Sequence, residues 1–98
     1  MSKSQQLATE HVAIIDAHLQ ERRRAGRVVP WRQSRRARAT ARMAAGAVFA
    51  LAGDAQSSDA AFAKALSYDR EIVRHPPPNL ATYPQLYPAW LTAKVSSD

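Results

Sequence analysis

The chain has 98 residues, a formal net charge of +6 and no cysteine. That length fits one domain, since domains usually run to about 100–150 residues, and a domain this short buries only about 60–65% of the surface its unfolded chain exposes. The missing cysteines exclude a disulfide framework and thiolate metal sites, and the longest apolar run, eleven residues over 43–53, falls short of the about 20 that cross a membrane.

The opening residues are polar and lead into a charged amphipathic pattern instead of the apolar stretch of an export signal, so the cytoplasm is the expected compartment. Ala8, Val12, Ile15 and Leu19, with Ile14 beside them, form one stripe at helical spacing and predict a helix over about 4–25. Its other faces carry Glu10, Asp16, Gln20 and Glu21. Gly26 ends this helix, and Val28-Val29-Pro30 predicts an extended connector because proline disfavours helix in the residue before it.

A second helix is expected over 31–52, with Gly53 as a left-handed terminator and with alanines and Gly46 permitting close approach of another backbone. Asp54 is placed to cap a third helix over 55–74, whose apolar side carries Phe62, Ala65, Leu66, Ile72 and Val73. Pro76-Pro77-Pro78 cannot supply backbone donors and stops it. Beyond lies a tail in which a Tyr-Pro pair occurs at Tyr83 and again at Tyr87, then a short last helix over 89–95 anchored by Trp90 and Leu91. The expected fold is all-α: a small helical domain over 1–75 and an extended Pro/aromatic tail over 76–98.

Within the second and third helices, Gly46, Phe49, Gly53-Asp54, Phe62, Lys64-Ala65-Leu66 and Asp69 fall in one ungapped register. In that register Ala39 to Ile72 resembles a tetratricopeptide repeat, a helix–turn–helix unit of about 34 residues. Gly46 stands at the family's small position, Phe49 and Phe62 at aromatic positions, and Gly53-Asp54 at the interhelical turn. The chain departs from the pattern at Arg42, where the family often has a large aromatic, at Ala45 for a larger apolar residue, at Ser58 for a packing alanine, and at Arg70 for the terminal proline. The resemblance implies a hairpin that holds other proteins, although one unit cannot build the concave groove of three or more stacked repeats. A fainter resemblance, basic helices followed by such a unit, is to the helical C-terminal tail of some family 2 glycosyltransferases. The catalytic domain of those enzymes, with its acidic metal-binding motif, has no counterpart in the sequence.

Chemistry-bearing patterns are few. His11 and His18 lie seven residues apart, about 10 Å along a helix, too far to share one metal ion. There is no Gly-x-Ser-x-Gly elbow and no glycine-rich phosphate loop, so neither catalysis nor a cofactor is expected. The strongest signal is cationic: nine arginines lie between Arg22 and Arg42, with no acid between Arg22 and Gly53. Arg35, Arg38 and Arg42 fall at helical spacing on one face, which Arg32 extends. Arg22, Arg23, Arg24, Arg27, Arg32, Arg35, Arg38 and Arg42 are therefore expected to meet phosphate or carboxylate. Trp31, Tyr83, Tyr87 and Trp90 are the candidate aromatic anchors for a partner. Blander readings stand beside these: a solvated basic face with Trp31 plugging the core, and a tail that wraps its own hairpin. The leading expectation is a noncatalytic helical accessory subunit or adaptor on a larger protein assembly. RNA or DNA binding through the arginine face and attachment to an anionic membrane surface are the alternatives, and self-association stays open.

Overall fold

The computed structural model describes residues 2–28, 30–78, 80 and 84–97, the side chains of Val95 and Ser97 excepted. The fold is all-α. Among the described residues four helices follow in order, α1 Lys3–Arg24, α2 Trp31–Leu51, α3 Ala55–Tyr68 and α4 Ala89–Ser97, with a 3₁₀ turn over Pro84–Leu86.

Local sequence explains most of the boundaries. Ser2 opens α1 with a reciprocal cap: its Oγ accepts from the Gln5 N–H, and Gln5 Oε1 accepts from the Ser2 N–H. Gly26 closes α1 at φ +75°, and the N–H groups of Gly26 and Arg27 donate to the carbonyls of Arg23 and Arg22. The same geometry recurs at Gly53, φ +80°, where Gly53 and Asp54 donate to Ala50 and Phe49. Asp54 then caps α3 by accepting from the Ser57 N–H, an interaction that lowers its carboxyl pKa. One glycine and one aspartate thus reverse the chain between α2 and α3.

The α2–α3 crossing is close because Gly46 has no side chain. A Cβ there would stand 2.8 Å from the Phe62 ring, so alanine would push the fully buried Phe62 aside. Ser58 is buried in the same crossing, where its hydroxyl donates to the Gly46 carbonyl at 2.8 Å. The serine that departs from the repeat pattern therefore has its polar atom satisfied, which removes most of the cost of burying it.

Two clusters form the core, one on each side of α2. Ala8, Ala45 and Phe49, with Val12 and Val48, join α1 to α2. The larger cluster contains Ala39, Met43, Phe62, Ala65, Leu66, Ile72, Leu80 and Leu91, with Tyr87 packed against it. Its last members come from the segment expected to be an extended tail. Leu91 is fully buried, Leu80 nearly so, and the Tyr87 ring meets Phe62 edge-on at a centroid distance of 5.5 Å. The tail is part of the core, because Phe62 and Ile72 need an apolar cover and Leu80, Tyr87 and Leu91 supply it.

α3 ends at Tyr68, earlier than the 74 expected from its apolar pattern. Two effects stop it. Arg35, reaching from α2, donates Nε to the Tyr68 carbonyl at 2.9 Å and Nη2 to the Ser67 carbonyl at 2.6 Å, satisfying acceptors left open at a helix terminus. Asp69 takes an extended backbone and its Oδ1 accepts from the Glu71 N–H, the local competition that makes aspartate a helix breaker. Residues 70–75 then turn, and Ile72 and Val73 enter the core from that turn instead of from a helix face.

Candidate functional site

α1 and α2 run antiparallel, with Ala8 packed near Ala45 and Asp16 opposite Arg38 and Arg42. α3 returns so that its C-terminus meets the start of α2 through Arg35 and Arg36. One end of the molecule therefore gathers the last turn of α1, the connector, the first turn of α2 and the turn after α3. The predicted arginines all approach this end or the helix faces just inside it, but their environments divide them into two groups.

The first group is internal. Arg42 is only 8% exposed; its Nη2 donates to Asp16 Oδ2 at 2.7 Å and its Nη1 donates to Asp16 Oδ1 and to the Arg38 carbonyl. Arg38 donates to the same carboxylate at 3.0 Å. The Arg42 hydrogen bond and the two guanidinium charges hold Asp16 below the usual carboxylate pKa, against the opposing pull of burial. Arg35 caps α3 as described, and Arg36 donates to Asp69 at 3.0 Å and to the His75 carbonyl. The Tyr68 ring receives this group: the guanidinium carbons of Arg42, Arg35 and Arg38 lie 4.7, 5.2 and 5.8 Å from its centroid. The expected solvent-facing line of Arg35, Arg38 and Arg42 is thus a packed, internally hydrogen-bonded seam. The correction has a plain cause: Asp16 and the α3 carbonyls are distant in sequence and adjacent in space.

The second group is external. Arg22, Arg23, Arg24, Arg27 and Arg32 are all exposed. Arg24 has one loose contact to Glu21 at 3.9 Å, with both side chains over 70% exposed, the kind of pair that contributes almost nothing. Among the described residues the other four side chains take no hydrogen bond or ion pair. Within this group stand two apolar side chains that the core does not use, Val28 at 90% and Trp31 at 70% exposure. Trp31 is therefore not a core plug. Its ring rests against Arg35, whose guanidinium carbon lies 5.0 Å from the indole centroid.

Two depressions flank this end. A cleft of about 660 Å³ is lined by Trp31, Arg32, Arg35, Tyr68 and Asp69 among others. A shallower, largely apolar groove of about 530 Å³ runs between α1 and α2, with His11, Arg32 and Arg36 at its rim and Ile15, Ala37 and Pro77 in its wall. Pro30 precedes α2 at the capping position and gives no side-chain cap, and the first turn of α2 carries no acid. Its first N–H groups thus add positive potential where Arg32 already stands. The chemistry this end offers is recognition of anions beside an apolar contact. Among the described residues no three histidine or carboxylate side chains converge as metal ligands would.

The remaining aromatic candidates point elsewhere. Tyr87 is packed on Phe62, with its hydroxyl buried, without a hydrogen-bond partner among the described residues, and its pKa raised by that burial. Trp90 donates Nε1 to Asp59 at 3.1 Å, tying α4 to α3. Tyr83 lies outside the described residues. Compared with protein-family models, curated proteins and solved structures, the chain matches none.

Proposed function

We propose that this chain is a noncatalytic helical accessory module that attaches, through its basic end, to an anionic surface of a larger assembly. The observation that carries the reading is the contrast between the arginine groups. Arg35, Arg36, Arg38 and Arg42 have partners within the fold, whereas Arg22, Arg23, Arg27 and Arg32 have none among the described residues and surround an exposed Trp31. Clustered like charges repel and raise the energy of the free protein, and a partner that neutralises them recovers that energy. The tetratricopeptide likeness remains part of the proposal, supported by Gly46 beneath Phe62 and by the Gly53-Asp54 turn. With α1 on one side of the hairpin and Leu80, Tyr87 and Leu91 on the other, the attachment surface is the end of the bundle, not a face for stacking repeats.

Retention on a heparin column tests the reading without assuming a partner. The parent chain should elute at distinctly higher salt than the R22Q/R23Q/R27Q/R32Q variant, and co-elution would end the proposal. A second reading, single-stranded nucleic acid, is favoured by the open face of Trp31 beside Arg32, which suits a base stacked next to its phosphate.

A further inference from the structure

We propose that the anionic surface is the headgroup layer of an acidic phospholipid bilayer, with Val28 and Trp31 inserting while Arg22, Arg23, Arg24, Arg27 and Arg32 bind lipid phosphates. This rests on the reading that the basic end is the attachment surface, and it names what lies across from it.

The shape of the end favours a bilayer over other polyanions. At 90% exposure Val28 touches almost nothing in its own protein, so the connector projects as a tip. A stable protein–protein interface needs about 800 Å² of complementary surface on each partner, so a protein partner would have to be shaped to Val28 and Trp31. A bilayer adapts to a convex tip and needs no matched pocket. Nucleic acid would use one face of Trp31 and the arginines, but it gives Val28 no apolar environment. A headgroup layer uses all of them, with indole at the polar–apolar boundary, valine just below it and long arginine stems reaching back to phosphate.

The fold also presents these groups ready to bind. Arg22, Arg23 and Arg24 sit in the last turn of α1, where cations are favoured by the helix dipole. Trp31 opens α2 and rests on Arg35, which two α3 carbonyls hold in place. The N–H groups at the start of α2, which no side chain caps, lie where phosphate oxygens would meet them. Other exposed apolar residues, Leu7, Ile14 and Leu51, have no arginine within seven positions in the sequence. No described helix is long and apolar enough to cross a membrane.

The test uses the full chain with Trp90→Phe, which leaves Trp31 as the single tryptophan. Sedimentation is measured with vesicles of phosphatidylcholine alone and of phosphatidylcholine mixed with phosphatidylglycerol, and a mixed single-stranded RNA pool is titrated at the same ionic strength. The expected result is binding to the anionic vesicles with a blue shift of Trp31 emission, and little binding to the neutral ones. Replacing Arg23, Arg27 and Arg32 by Gln should lower partitioning on the order of 100-fold, from about fivefold for each surface cation. V28S/W31S should lower it by tenfold or more while the thermal midpoint falls only slightly, since neither side chain is in the core and the Trp31–Arg35 contact lies at the surface. Binding to RNA but not to vesicles overturns the membrane proposal and leaves the basic end as an attachment surface. Binding to neither overturns both. Equal binding to neutral and anionic vesicles, or V28S/W31S partitioning like its parent, overturns the assignment of the tip and its arginines.

Discussion

Arg22 to Arg32 and Arg35 to Arg42 belong to one basic run in the sequence, yet they do opposite things in the fold. The later arginines, apart from their role on α2, are the polar cement of the bundle: Arg38 and Arg42 hold α1 through Asp16, and Arg35 and Arg36 hold the end of α3 and the turn after it. The earlier ones project into solvent, and among the described residues Arg24 with Glu21 is their single ion pair. Charge density along the chain is similar in both halves, so it does not decide the outcome. What decides it is whether a carboxylate or a free carbonyl arrives on the neighbouring element. A cation-rich helix is therefore read as a binding surface only after its internal acceptors have been counted.

The largest test of that comparison is Asp16→Ala. It leaves Arg42 buried with no counter-charge, and removing one member of such a pair is strongly destabilising. Because Asp16 is about one-third exposed at its side chain, the expected loss is about 2–3 kcal/mol in denaturant unfolding, below the range for fully buried pairs. Arg23→Ala should change stability by less than about 0.5 kcal/mol, as surface substitutions do. Equal costs for the two would erase the distinction between the groups. The pH dependence follows from the same pair. Asp16 has a folded pKa below its unfolded value, so its contribution is fully present above about pH 4 and is lost as pH falls through the folded pKa. In Asp16→Asn that part of the acid-induced loss should be absent.

A smaller effect is expected at Arg35→Gln. The variant loses the donors to the Ser67 and Tyr68 carbonyls and the guanidinium between the Trp31 and Tyr68 rings. About 1–2 kcal/mol should go, with faster amide exchange at Ile72 and His75, whose N–H groups close the turn after α3. Unchanged exchange there would mean that Asp69 alone ends the helix.

These long-range partners mark the boundary of what was legible from sequence. Elements set by neighbours in the chain were readable: Gly26 and Gly53 end their helices at positive φ, Asp54 caps α3, and Leu91 anchors the last helix. The early end of α3 was not, because the residue that satisfies its carbonyls lies 32 and 33 positions upstream. Asp16 read as one acid on a polar face, since nothing local marks it as the counter-ion of Arg42, 26 residues away. The tail's aromatic and proline pattern suited either an arm or a cover, and only the packing of Leu80, Tyr87 and Leu91 on Phe62 and Ile72 distinguishes them. At the candidate site, composition located the cations but not their exposure, so the inner half of the run was overcounted. Val28 was missed because Val28-Val29-Pro30 reads as a connector.

The smallest predicted effect separates stability from attachment at a single position. Arg32 stands in the first turn of α2, where a cation opposes the helix dipole and where no acid or side-chain cap compensates. Arg32→Glu should therefore stabilise the fold, by about 0.5 kcal/mol at low salt, and the gain should shrink at molar salt as screening shortens to about 3 Å. The same substitution reverses a charge at the attachment surface, so retention on heparin should fall while the unfolding midpoint rises. Opposite movement of the two readouts is what an external arginine gives. Were Arg32→Glu to lower both, Arg32 would have an internal partner after all, and the outer group would have to be redrawn without it.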